Sequence, residues 1–151
     1  MVKPSSICLA LATVIFSTGA AGAQQGSSKL KSLPVPVRQA VEKETQGAVI
    51  KEVSKEQEDG KTVYEVETMV DGRTRDLVFA ADGTVLVVEE QSSLDAIPVA
   101  ARQAIEARAA GGKVTTVELV KKGTAVTYEA VVVKGGKKAE VTVNADGTAA
   151  R

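Results

Sequence analysis

The stretch TVYEVETMVDGRTRDLVFAADGT at residues 62–84 returns 64 positions later as VTYEAVVVKGGKKAEVTVNADGT at residues 126–148. Aligning residues 30–84 with 94–148 gives 16 identities in 55 positions, with one slip at the turn near Gly60 and Gly123. The identities include Leu30/Leu94, Pro34/Pro98, Arg38/Arg102, Glu42/Glu106, Tyr64/Tyr128, Glu65/Glu129, Gly72/Gly136 and Asp82-Gly83-Thr84/Asp146-Gly147-Thr148. A chain that writes one phrase twice is expected to fold as two equivalent units. A unit of about 60 residues is marginal alone. Two copies are too few for a solenoid, so the pair is expected to share its burial in an α+β fold: two tandem repeats, 30–90 and 94–151, each a helix on a three- to four-stranded antiparallel sheet, with a linker at 91–93 and room for the sheets to join.

Each copy opens on a helical stripe. Leu30, Leu33, Val37, Ala40 and Val41 recur at helical spacing, and Leu94, Ile97, Ala101, Ala104 and Ile105 repeat them. Pro34 and Pro98 suit a first turn, where a missing N–H costs nothing, and Pro36 moves the regular start to about Val35. Gly47 and Gly111-Gly112 suit the ends. After them come first strands at Val49–Gln57 and Lys113–Lys121. The period then becomes two. Tyr64, Val66, Thr68 and Val70 share one face, with Val63, Glu65, Glu67 and Met69 on the other; Val126, Tyr128, Ala130 and Val132 oppose Thr127, Glu129, Val131 and Val133 in the same way. Asp71-Gly72 and Gly135-Gly136 between alternating runs mark hairpins. In the third strands, Arg75, Leu77 and Phe79 match Ala139, Val141 and Val143. Val85–Val88 reads as a fourth strand, whereas the second copy stops at Ala149-Ala150-Arg151, so its last strand is short or missing and leaves an edge open to pairing.

Residues 1–23 stand apart from this pattern. Lys3 precedes an apolar run of ten, Ile7 to Phe16, and Ala21-Gly22-Ala23 is a small-residue cleavage site. The run is half of the roughly 20 residues needed to span a bilayer. It therefore reads as a signal peptide, and Cys8, at the start of the run, does not fit a lipidation site. The expected product is exported, periplasmic or extracellular, and begins with a loose arm at 24–29. It holds no cysteine and is not held in a membrane.

The helix LPVPVRQAVEKETQG followed by YEVETMVDGRTRDLVFAADGTVL resembles the PepSY-like family, which includes exported β-lactamase-inhibitor-like, PepSY-like proteins. The Leu-Pro helix start, Gly47, Tyr64-Glu65-Val66, Gly72 and Asp82-Gly83-Thr84 carry the likeness, and it extends over both copies. It implies an exported helix-on-sheet module, often tandem, for which binding to or inhibition of peptidases or other envelope proteins is expected. These are fold residues, so no binding residue carries over.

The composition points away from an enzyme. The chain has no His and one Cys, the latter in the signal segment. His-based triads and His/Cys zinc sites are thereby excluded. Gly111-Gly112-Lys113 precedes a strand, so it is no phosphate loop, and no cofactor is expected. Net charge is zero, which gives no general pull toward nucleic acid. Glu65 and Glu129, each beside a tyrosine, are the candidate contacts, with Tyr64 and Tyr128. The plainer reading makes the glutamates solvent-facing residues opposite Lys or Arg and the tyrosines sheet or core packing. Residues 24–90 hold nine basic and thirteen acidic side chains and residues 91–151 nine and six, so the halves are complementary within a chain or between chains. The function expected is a non-catalytic binding module with a protein or peptide partner, inhibitor-like by resemblance. The alternative is a self-associating structural or assembly protein of the envelope, a homo-oligomer.

Overall fold

The computed structural model describes residues 29–150. The segment expected to be a signal peptide, 1–23, and residues 24–28 of the expected arm lie outside the described residues. The chain runs through helix α1 (Val35–Glu44), strands β1 (Val49–Glu58), β2 (Lys61–Val70), β3 (Arg73–Ala80) and β4 (Val85–Gln91), a 3-10 turn (Leu94–Ala96), helix α2 (Val99–Ala109), and strands β5 (Lys113–Lys122), β6 (Ala125–Lys134) and β7 (Lys137–Asn144). The strands form one antiparallel sheet in the order β1-β2-β3-β4-β5-β6-β7. The sheet is joined through β4 and β5, which pair from Val87/Lys122 to Gln91/Glu118. Gln91 thus closes β4 instead of opening a linker.

Both helices lie on the same side of the sheet, over two separate cores. Leu33, Val37 and Val41 pack with Tyr64, Val66, Leu77 and Phe79. Ile97, Ala101 and Ile105 pack with Val117, Ala130 and Val143. Val37 and Val41, and Ala101 and Ile105, are the predicted helical stripes, whereas Leu33 and Ile97 reach the cores from bends just before the helices. The strand faces are those that the alternation predicts, and Phe79 and Val143 are fully buried at matching places. Leu94 departs from expectation: it sits in the 3-10 turn, and regular helix begins only after Pro98. Pro34 and Pro98 occupy the N-cap, a step outside the first turn, with no side-chain cap. Their carbonyls accept the first helical bonds, from Arg38 and Arg102 at 2.9 Å each.

The helix ends diverge. α1 stops at Thr45, whose N–H and Oγ1 both donate to the Val41 carbonyl, at 2.9 and 2.7 Å. α2 stops at Ala110, a non-glycine in the left-handed region (φ 48°, ψ 42°). The glycines flagged in the sequence come later than the actual stops. The turn slip at Gly60 and Gly123 also resolves. Both connections are two residues long, because Glu58 pairs with Lys61 and Lys122 with Ala125. Asp59 and Gly60 both have positive φ, whereas in the second only Gly123 does. That is the difference between a type I′ and a type II′ turn, and it moves the glycine by one place. The bulges recur too, between Ile50 and Glu52 and between Val114 and Thr116. After β7, among the described residues, the chain forms an isolated bridge, Val143 to Ala149.

The Asp-Gly-Thr turns do more than reverse the chain. A Cβ on Gly83 would lie 2.7 Å from the Pro36 carbonyl oxygen, and one on Gly147 would lie 2.7 Å from that of Ala100. Each turn is seated against the first turn of its helix, with the glycine at φ 88° or 82°. Gly147→Ala is therefore expected to cost at least about 2 kcal/mol, from left-handed backbone plus the clash. Gly136→Ala, at φ 78° with open space around it, bears only the first penalty, and paired urea melts measure the difference. Ala110→Gly is expected to stabilise the chain by about 1 kcal/mol by relieving the left-handed alanine.

Candidate functional site

With both helices on one side, the opposite face of the sheet carries no helix. Cross-strand partners share a face, so the register names the side chains found there. One row crosses four strands as Glu52, Glu67, Asp76 and Glu89. Beside it, Glu118 pairs with Glu129 across β5 and β6. Glu65 lies two residues from Glu67 on β2, between Ser54 and Val78. Strands are about 4.8 Å apart, so the row from Glu52 to Glu89 spans about 14 Å.

The four residues singled out in the sequence are split by this arrangement. Tyr64 belongs to the α1 core and Tyr128 packs against the α2 core. Glu65 and Glu129 look out from the other face. The expectation that these glutamates oppose Lys or Arg is corrected: the neighbours of Glu65 are Ser54 and Val78, and those of Glu129 are Glu118 and Thr142. Thr142 Oγ1 donates to Glu129 at 3.2 Å. Among the described residues, the ion pairs join Lys43–Glu44, Arg75–Glu90, Arg102–Asp95 and Lys121–Glu90, and none involves the acidic row. The lysines in register with this face lie toward its margins: Lys61 beside the first turn, Lys122 in the row of Glu65, and Lys113 and Lys138 at the far corner.

Burial and mutual repulsion raise Glu65, Asp76, Glu89 and Glu118 well above the usual carboxyl range. Glu118 is 8% exposed; burial first, then Glu129, Asp76 and Glu140, pushes it up to about 7. Burial, then Glu118, Glu129, Asp76 and Glu65, takes Glu89 to about 7. Glu65 reaches about 7 through burial and then Glu56, Asp76 and Glu67. Asp76 reaches about 6 through burial and then Glu67. Glu67 and Glu129 are raised by the same cause, burial first, although Lys29 pulls Glu67 back. Asp76 also has a buried Oδ1 with no hydrogen-bond partner. No three acidic, His or Cys side chains among the described residues converge to hold a metal ion.

Sequence reasoning found Glu65 and Glu129 because they recur in the repeat. It missed Asp76 and Glu118, whose counterparts at the 64-residue offset are Glu140 and Ser54, and Glu89, which lies outside the aligned stretch. A cleft of about 470 Å³, lined by Val70, Asp71, Arg73, Thr74, Arg75, Glu90 and Gln91, was likewise invisible. Its Arg75 is engaged by Glu90 at 3.3 Å and by the Glu44 carbonyl at 2.8 Å.

A carboxyl whose folded pKa lies above its unfolded value stabilises the fold below the ordinary carboxylate range. That contribution is lost as pH climbs through 6 to 7, where Asp76, Glu65, Glu89 and Glu118 ionise. The melting temperature is expected to be higher near pH 5 than near pH 8 in thermal scans. Asp82 and Asp146 oppose this trend only in stronger acid, since hydrogen bonds from Thr84 and Thr148 hold their carboxyls below the usual range. Glu118→Gln is expected to raise the value near pH 8 and flatten the profile.

Residues 37–89, from the third residue of α1 to Glu89 of β4, match the PepSY family, described as Peptidase propeptide and YPEB domain. No curated protein sequence matches the chain. Among solved structures, a DUF2874 family protein from Bacteroides ovatus is 19% identical, with TM-score 0.64, covering 80% of this chain and 86% of that one. A protein from Bacteroides eggerthii, provisionally assigned to the periplasm, is 20% identical with TM-score 0.66, covering 79% and 86%. A BLIP-like protein from Bacteroides fragilis is 21% identical with TM-score 0.58, covering 77% and 82%. At these identities the likeness to solved structures concerns the fold, two helices on one antiparallel sheet, and the PepSY match covers the first half of that fold, from α1 to β4.

Proposed function

We propose that this chain is an exported, non-catalytic binding module, built as a tandem repeat, whose helix-free sheet face receives a protein or peptide partner. The observation that carries this reading is the set of half-buried carboxyls crossing that face with no ion pair among the described residues. Like charges in cross-strand register destabilise a sheet, and a partner that neutralises them supplies what the isolated fold lacks. Glu65 and Glu129 are then contact residues, while Tyr64 and Tyr128 lie beneath the opposite surface as packing. The Lys3, Ile7–Phe16 and Ala21–Ala23 pattern supports export, in keeping with the provisionally periplasmic neighbour. The PepSY match and the BLIP-like neighbour support inhibitor-like action on a peptidase or other envelope protein. No helix of the described residues is long and apolar enough to cross a membrane.

The recurrence of bulges, turns and glycine seats at one 64-residue offset supports the duplicated unit. Self-association is the second reading, favoured by the outer edge of β7, which among the described residues carries no strand beyond the isolated Ala149 bridge.

A photo-crosslinking side chain at Val78, on the helix-free face, is expected to capture a saturable partner from envelope extract. The same group at Glu106, exposed on α2, is expected to capture none. Equal capture from both positions, or none from Val78, refutes the reading, and concentration-dependent mass in light scattering supports the second.

A further inference from the structure

We propose that the helix-free face binds a cationic, extended segment of another protein, whose Lys or Arg side chains enter the row Glu67–Asp76–Glu89 and the adjoining pair Glu118–Glu129. This rests on the binding-module reading and specifies the chemistry of its partner. Two observations beyond the acidic cluster point to a ligand. Glu118 is more than nine-tenths buried, faces this cluster, and has neither hydrogen bond nor ion pair among the described residues. Asp76 adds a buried oxygen with no partner. A buried carboxyl without a partner is strongly unfavourable when ionised. A cation delivered to it relieves that penalty, as does a proton.

The spacing selects a segment over an ion. The carboxyls do not converge on one point; they are distributed over β2 to β6. Along a strand, residues on one face recur every two positions, about 6.8 Å, and a bound extended segment presents its own alternate side chains at the same interval. Cations at alternate positions of such a segment can meet successive rows, Glu65 in one, Glu67, Asp76 and Glu89 in the next, and Glu118 and Glu129 in the third. The lysines in register here, Lys61, Lys113, Lys122 and Lys138, stand toward the margins, and Lys29 acts on Glu67 alone. The acids Glu52 and Glu56 of β1 and Glu140 of β7 extend the same sign to both edges. A second copy of this chain fits less well. Its cationic hairpin of Lys134, Lys137 and Lys138 would bind head to tail, a contact that propagates unless the rotation closes a ring.

The binding is coupled to protons. Ionised carboxylates receive the cations, so affinity falls as the face protonates between pH 8 and pH 5, the range in which Glu65, Asp76, Glu89 and Glu118 titrate.

The test is fluorescence anisotropy of the chain with a fluorescein-labelled alternating Lys-Thr decapeptide near pH 8 and about 50 mM salt. Saturable binding is expected, weakened roughly tenfold or more by the double change Glu89→Gln with Glu118→Gln and by lowering the pH to about 5. It should be unaffected by Glu42→Gln with Glu106→Gln on the outer helix surfaces, and absent for a Glu-Thr decapeptide. Circular dichroism verifies folding, and the single change Glu67→Gln, with smaller loss expected, serves if the double change does not fold. No binding near pH 8, equal binding of both peptides, or indifference to the open-face substitutions overturns the proposal. So does a doubling of mass that the same substitutions abolish. A partner crosslinked at Val78 whose capture ignores charge and pH would overturn this inference and leave the binding-module reading standing. Peptide binding with no envelope partner captured at Val78 would overturn the binding-module reading and this inference with it.

Discussion

Five antiparallel residue pairs between β4 and β5 decide the character of this molecule. Each half has its own helix and its own small aliphatic core, and either alone would bury too little surface to be comfortably stable. Hydrogen bonding across this junction removes two interior edges and makes one seven-stranded sheet. On the helical side, Glu90 of β4 meets both Arg75 of β3 and Lys121 of β5. That charged bridge crosses the gap between the cores. Arg75 also reaches the Glu44 carbonyl at the end of α1, where a cation is favoured by the helix dipole. The junction thus ties the first helix, the third and fourth strands and the second half into one body.

The same junction creates the acidic surface. Glu89 belongs to the first half and Glu118 to the second, and they become neighbours only because β4 lies beside β5. Opposite-charge pairing is available to this chain and is used on the helical side, where Glu90 has two cations. Across the sheet, Asp76 and Glu89 have none, and Lys29 acts on Glu67 without forming an ion pair with it. A fold that spends stability on repulsion in one place and pairs charges in another is expected to recover the loss in function. Protons or bound cations are the two ways to recover it here.

The elements themselves were open to reading from local rules. The helical stripe of Val37 and Val41 needs only a period near 3.6, and the faces of β2 and β6 only a period of two. Asp71-Gly72 and Gly135-Gly136 announce their hairpins through backbone sterics alone. Elsewhere local rules ran ahead of the chain. Helix ends were assigned to Gly47 and Gly111, whereas Thr45 caps α1 through its own hydroxyl and Ala110 takes the left-handed turn. Gly83 and Gly147 read as ordinary turn glycines, and their contact with the helix carbonyls of Pro36 and Ala100 was hidden. Glu65 and Glu129 were visible as candidates because they repeat, yet their neighbours were misassigned, since a lysine near in sequence need not be near across a strand.

By itself, then, the sequence determined the repeated phrase, the order of helix and strands, the aliphatic faces and the family likeness, because periodicity, turn chemistry and repetition act over short stretches of chain. Only the tertiary structure decided that the two sheets fuse, that both helices lie on one side, and that carboxyls from β2 to β6 assemble on the other. Those outcomes depend on the register between strands far apart in the chain, and a one-residue change of register would have turned every one of those side chains to the opposite face.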